Sequence, residues 1–365
     1  MTRCNYLFGI LFLFLPVLLP AQHLQPGFNA EEYLETLNVD FLHADTPWTR
    51  KEPVIPEGTK LVYRSEETGL HNRWDLWIQH DNIAIISIRG TVGNKESWME
   101  NFHAGMIPAI GSLRLNDTTV FRYKLARDNN AYVHAGWTLA LGSMAADITA
   151  HIRECYEKGI RDFIITGHSQ GAAICFLLRS YLEYLDEPGF PKNLTFKTYC
   201  SAAPKPGNLY YAYDYDYITR NGWGFRVVNT ADWVPETPFS LQTTRDFNVP
   251  NPFMNVKKGL RKQKLIARLA IGYVYGRMDR SSKRASRRMQ RLLGKMLASQ
   301  VRKSMPGYRP PGFVQSHNYT PAGAPIVLYA DSAYHATYHF DGKNIFVHHM
   351  YAPYKYLVEA IYLKQ

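Results

Sequence analysis

Gly167-His168-Ser169-Gln170-Gly171 stands between an apolar run, DFIIT (162–166), and a stretch of small and apolar residues, AAICFLL (172–178). A serine flanked by glycines two residues away on each side, where a strand pattern gives way to a helix pattern, suits a nucleophile held on a sharp turn. The turn exposes Oγ, aims the helix N-terminus at a developing oxyanion and offers the backbone N–H of Gln170 as a donor. Gly167 and Gly171 let backbone approach backbone where a Cβ would clash. The plainer alternative is a serine that caps a helix.

A serine nucleophile needs a base, and the base needs an orienting acid; on a strand-turn-helix of this kind they follow in the order Ser, Asp or Glu, His. Downstream, FRVVNTADWVPETP places Asp232 just past a strand pattern, with Glu236 as its nearest rival. Asp214, Asp216 and Asp331 are less well placed, because nothing sets them at the end of a strand. The last histidines are His335, His339, His348 and His349. Of these, His348 and His349 sit where a loop leads into a closing helical stretch and can swing an imidazole over the serine.

These groups require a frame. Apolar or alternating runs at 61–64, 74–79 and 83–89 read as strands. In residues 136–158, Trp137, Leu141, Met144, Ile148, Ile152 and Cys155 recur every three or four positions as one helical stripe, stopped by Gly159. A strand at 163–166, a helix from about Ser169 to Leu185, and strands at 195–202, 225–229 and 325–329 follow, with a helix from about His349 to Tyr362. The alternation predicts an α/β chain with a mainly parallel sheet flanked by helices and its site beyond the carboxyl ends of the strands.

Hydrophobic residues make up 46% of the 365 and charged residues 20%, a globular composition. Met1 to Ala21 has a basic residue, an apolar stretch and a small residue at its end, which reads as a removed signal peptide. That predicts a secreted or periplasmic protein of one domain, 22–365. The remaining Cys155, Cys175 and Cys200 read as small buried hydrophobes. No zinc-type spacing of Cys and His occurs, and no metal or other cofactor is expected.

The net charge of +11 is concentrated. Residues 251–310 hold 17 Lys and Arg against one acid, Asp279, a net of +16, so the rest of the chain is acidic. Two helical stretches are read there, 256–271 and 281–304, the second with Met289, Leu292, Leu293, Met296 and Leu297 on one face and arginines on the other. An anionic membrane surface is the expected partner of 256–304; the plainer alternative packs the apolar faces on the rest of the protein and leaves the arginines to solvent. Nucleic acid is not expected, since aromatic residues suited to base stacking are nearly absent.

Taken together, IISIRGTVGNKESWMENF (85–102), VHAGW (133–137), ITGHSQGAA (165–173), CSAAPKPGN (200–208), RVVNTADWVPETP (226–238) and the closing HMYAPYKYL (349–357) resemble the class 3 lipases, fungal-type triacylglycerol lipases with an α/β-hydrolase fold. The resemblance implies an acyl-ester hydrolase with Ser169, Asp232 and His349 as its triad. It favours His349 over His348 because the family's histidine stands five residues before a tyrosine, here Tyr354. It also implies that Thr91 joins Gln170 in the oxyanion hole. Trp98, Met99 and Phe102, in the family's lid stretch, read either as a cover for the pocket or as core. Two departures stand out: SWMENF replaces the family's usual acid in that stretch, and the basic segment is foreign to its pattern. A catalytically silent lipid- or polyanion-binding protein on the same scaffold is the alternative reading.

Overall fold

The computed structural model describes residues 23–364 apart from 44–51, 81, 250, 254, 255 and 262; the expected signal peptide lies outside the described residues. Seven strands form the central sheet: β1 (Thr59–Arg64), β2 (Trp74–Gln79), β3 (Ile83–Ile88), β4 (Asp162–His168), β5 (Thr195–Ser201), β6 (Gly224–Asn229) and β7 (Ala324–Leu328). They lie side by side in chain order. The pairs β1–β2 and β2–β3 are antiparallel, and every pair from β3 to β7 is parallel. This is an α/β-hydrolase fold.

Why these segments are strands follows from which faces they bury. All of β4, in the parallel part of the sheet, is buried because helices cover both its faces and leave no polar face to alternate with, and antiparallel β2 is buried along its whole length as well. Ile86 and Ile165 point into one core, with helices α3 (Ala135–Glu157) and α4 (Gln170–Tyr184). Their neighbours Ile85 and Ile164 point into a second core on the opposite face, with α1 (Ala30–Phe41) and the closing helix Tyr351–Val358. Cys155, Cys175 and Cys200 are buried free thiols, as their setting predicted.

Three features were not read from the sequence. Helix α1 is capped by Asn29, whose side chain accepts from the Glu32 N–H, and it places Asp40 under the carboxyl end of β3. A small second sheet joins Met106–Pro108, Tyr132–His134, Gly207–Asn208 and Tyr319–Thr320. A hairpin, Ile110–Arg114 with Val120–Lys124, stands beside it.

The basic segment also differs from expectation. In place of two helices divided near 272–280 there is a short turn of helix, Val256–Leu260, then a helix Leu265–Met289 that runs without interruption through a π-turn, Gln290–Met296, into Leu297–Ser304. Gly272 and Gly276 are tolerated inside it. The Lys283–Asp279 pair, four residues apart, braces the same stretch. The π-turn adds a residue to the repeat and shifts the inward stripe, so Gly294, Ala298 and Val301 are buried while Met296 is 49% exposed. At that turn the Leu293 carbonyl, released from the regular ladder, accepts from the Gly105 N–H at 3.1 Å. Gly294 and Gly105 meet so closely that a Cβ on Gly105 would lie 2.4 Å from the Gly294 Cα.

Candidate active site

Ser169 sits between β4 and α4 with φ 60° and ψ −125°, a backbone conformation rare for any residue with a side chain. Its side chain makes no cap hydrogen bond, so it is not the helix-capping serine of the plainer reading. Both flanking glycines are required by contact: a Cβ on Gly171 would stand 2.0 Å from the Ile88 carbonyl oxygen, and one on Gly167 would stand 2.6 Å from the Gly171 carbonyl carbon. Ile88 ends β3, so the close approach locks the turn against the neighbouring strand. The Ser169 N–H donates to the Ser201 carbonyl at 2.9 Å, tying it to β5 as well.

Asp232 follows β6, and its Oδ2 lies 2.7 Å from His349 Nδ1. Two further donors meet this buried carboxylate: the Tyr354 hydroxyl at 2.8 Å to Oδ2 and the Val234 N–H at 3.0 Å to Oδ1. With Nδ1–H committed to Asp232, the tautomer of His349 that leaves Nε2 as an acceptor is favoured. The His349 carbonyl lies 2.6 Å from His168 Nε2, which ties the loop carrying His349 to the residue preceding Ser169. Burial holds His168 well below the ordinary histidine range, so it is neutral.

His348 faces elsewhere. Its Nδ1 is 2.9 Å from the Tyr334 hydroxyl, and its carbonyl accepts from Asn229. The other acids are also otherwise engaged. Asp214 accepts from the Arg127 N–H and the Tyr184 hydroxyl, Asp216 from the Gly323 N–H, and Asp331 caps a short helix; Glu236 is exposed.

Thr91, directly after Gly90 and three residues past the end of β3, donates from Oγ1 to Gln170 Oε1 at 2.6 Å. Asn101, at the end of helix α2 (Lys95–Phe102), ties these two together: its Nδ2 is 2.9 Å from Thr91 Oγ1 and 3.2 Å from Gln170 Oε1. Its Oδ1 accepts from the Trp137 indole N–H at 2.9 Å. Sequence reasoning missed Asn101 and Asp40. Asn101 lies within SWMENF, where the family's acid was noted as absent, and its spacing of ten residues from Thr91 was the available signal. Asp40 takes hydrogen bonds from Ser87 and Thr166 on adjacent strands, and burial pushes its carboxyl well above the usual range.

Ser169, Gln170, Thr91 and His349 line one cavity of about 490 Å³. Its walls are largely apolar, with Trp98, Phe102, Trp233, Phe239, Leu293 and Phe346 among them. The expected cover divides here. Trp98 and Phe102 stack on each other at the cavity, with Phe102 57% exposed, whereas Met99 turns into the core. Leu293 comes from the π-turn, so the basic segment supplies part of the cavity wall. Such a cavity can admit an acyl chain beside a serine, an imidazole and a pair of N–H donors, the parts that acyl transfer requires.

Residues 85–242 match the sequence pattern of the lipase (class 3) family. A secreted mono- and diacylglycerol lipase of Fusarium solani is 28% identical over 156 residues, which is 42% of this chain and 39% of that relative. Among solved structures, a mono- and diacylglycerol lipase from Aspergillus oryzae aligns over 59% of this chain and 76% of its own, at 18% identity and a TM-score of 0.43. A lipase from Rhizopus microsporus var. chinensis aligns over 57% and 68%, at 20% identity and a TM-score of 0.39. The family match takes in Thr91, Ser169 and Asp232 and stops before the basic segment and His349. Residues 85–242, with the serine turn at their centre, are thus similar to the class 3 lipases, and the chain spans about two fifths of the length of the secreted relative it matches.

Proposed function

We infer that this protein is a serine hydrolase of lipid acyl esters, working through Ser169, Asp232 and His349. The observation that carries the reading is the pairing of a strained Ser169, with no cap bond of its own, and an Asp232-bound His349 in one apolar-walled cavity. Ser169 Oγ attacks the ester carbonyl while His349 Nε2 takes its proton. Asp232, through Nδ1–H, steadies the imidazolium that forms. The oxyanion is received by the N–H groups of Thr91 and Gln170 and by the Thr91 hydroxyl. His349 then returns the proton to the leaving alkoxide, and water attacks the acyl-enzyme by the same route in reverse.

The Thr91 hydroxyl must turn from Gln170 Oε1 to meet the oxyanion. When it does, Asn101 Nδ2 remains as the donor to that amide oxygen, so no buried acceptor is stranded. Acylglycerols are the favoured substrates, because the Fusarium relative is named for mono- and diacylglycerols; phospholipid is the second candidate. Secretion is favoured by the reading of residues 1–21 as a signal and by that relative's description as secreted. Peripheral work at an anionic membrane surface, with 256–304 meeting it, completes the reading.

The test is hydrolysis of emulsified monoacylglycerol, diacylglycerol and phospholipid by the parent protein and by Ser169→Ala. Fatty acid released from an acylglycerol by the parent alone supports the assignment. Equal release by both, or none from any ester, removes it.

A further inference from the structure

One stripe of the helix Leu265–Met289 and its π-turn is exposed along its whole length: Ile266, Leu269, Tyr273, Arg277, Arg280, Arg284, Arg287 and Arg291, in steps of three and four. The stripe changes chemistry partway. Its first three members are apolar and its last five are arginines, over a distance of about 38 Å at the rise of a helix. The apolar end is exposed on its other sides too. Ile266 is 83% exposed, and Leu265, Val274 and Met278 are each more than half exposed. The opposite stripe faces the body of the protein, where Asp279 accepts from Thr244, Phe253 stacks on Tyr275 and Leu293 reaches the cavity. The outward row is therefore held in a fixed orientation.

We propose that this helix docks the protein on an anionic lipid surface, with Ile266, Leu269 and Tyr273 entering the acyl boundary and Arg277 to Arg291 meeting lipid phosphates. Two arguments select this occupant. Residues 265–304 carry eight arginines and three lysines against Asp279, so a second copy of the chain would set like charge against like. Among the described residues, the helix's single ion pair is Lys283 with Asp279, which leaves the arginine row unneutralised. A soluble polyanion would meet the arginines but cover none of the apolar end. A lipid surface offers both partners in the order that the helix presents them. No helix among the described residues is long and apolar enough to cross a membrane. The docking segment lies outside the family match and is a property of this chain. The inference rests on the membrane-surface part of the proposed function, which it narrows to one face of one helix, and does not depend on turnover.

The experiment is co-sedimentation of the full chain, as Ser169→Ala so that no lipid is hydrolysed, with phosphatidylcholine vesicles with and without phosphatidylglycerol. Strong binding to the anionic vesicles is expected, weakening with salt. In Arg284→Gln/Arg287→Gln/Arg291→Gln the affinity should fall on the order of a hundredfold, at about fivefold per arginine. In Ile266→Ser/Leu269→Ser it should fall at least ~10-fold through lost apolar burial, with the helical circular dichroism of both variants unchanged. Equal binding to neutral and anionic vesicles would overturn the proposal. So would an unaffected Ile266→Ser/Leu269→Ser variant, which would reduce the helix to a general polyanion site. A concentration-dependent dimer abolished by that same variant would assign the face to a second copy. Vesicle binding without ester hydrolysis would count against the catalytic reading alone, and hydrolysis without vesicle binding against this one alone.

Discussion

Replacing Asn101 by alanine tests whether the oxyanion side of the cavity works as a connected unit. In the folded protein Asn101 contributes three bonds: Nδ2 to Thr91 Oγ1, Nδ2 to Gln170 Oε1, and Oδ1 from Trp137. Truncation leaves the buried Trp137 N–H without its acceptor, a cost to stability of about 1–3 kcal/mol. The effect on rate has a different origin. With Asn101 gone, Gln170 Oε1 has Thr91 as its donor, and the hydroxyl can turn to an oxyanion only by stranding that oxygen. The hydroxyl is then withheld, and the loss approaches that of removing one oxyanion donor, about 100- to 1000-fold in turnover. The assay is steady-state hydrolysis of a soluble short-chain ester by the parent, Asn101→Ala, Thr91→Val and the double variant, with melting followed in parallel. Because both single changes remove the same donation, the double variant should lose little more than Thr91→Val alone. The fall should appear in kcat, with KM nearly constant. Additive losses, or an Asn101→Ala enzyme with parental kcat, would refute the coupling.

The two neighbouring histidines should separate sharply: His349→Ala is expected to lose about 10⁴-fold or more in kcat and His348→Ala to stay within about threefold. Similar losses in both would undo the assignment that rests on their different partners. Gly171→Ala should fail to give folded protein or should melt far below the parent, because its methyl would lie 2.0 Å from the Ile88 carbonyl oxygen; a parental melting temperature would mean that the turn is looser than described. Burial of Glu100, at the end of α2, pushes its carboxyl up to about 8 from an ordinary 4.5. A carboxyl that holds its proton better when folded lowers stability as pH rises from about 4.5 to about 8, after which the loss is complete. Glu100→Gln should therefore melt higher than the parent above that range, by an amount on the order of a few kcal/mol, and match it near pH ~4. An equal difference at both pH values would exclude the buried proton as its cause. Tyr354→Phe removes a donor to the Asp232 carboxylate, and a cost of about 1.5–3 kcal/mol in stability is expected from thermal unfolding.

The candidate site was legible where local chemistry fixes a part of it. The serine turn announces itself through glycines whose absent Cβ atoms permit contacts with the Ile88 and Gly171 backbones, and a run such as DFIIT can be a central strand because both its faces are covered. Asp232 could be chosen over Glu236 from its position after a strand. Between His348 and His349 the residues themselves were silent: the choice is made by long-range partners, Tyr334 for one and Asp232 for the other, which no local spacing reveals. Asn101 was hidden for a similar reason, since its role depends on Thr91, Gln170 and Trp137 converging from three separate elements. Helix α1 was legible but unread; Asn29 as cap, acids in its first turn and apolar residues at Tyr33, Leu34 and Leu37 were all present. The basic segment misled through its period. A π-turn breaks the 3.6-residue repeat, so a wheel drawn from one end misassigns Met296 at the other.

The central claim is that Ser169 is an activated nucleophile, and the most direct test is the intact mass of the folded protein after treatment with a fluorophosphonate, beside Ser169→Ala. The account predicts one phosphonyl adduct on the parent, none on the variant, and loss of ester hydrolysis in step with labelling. No adduct on the folded parent in the presence of detergent, or an equal adduct on both proteins, would contradict it.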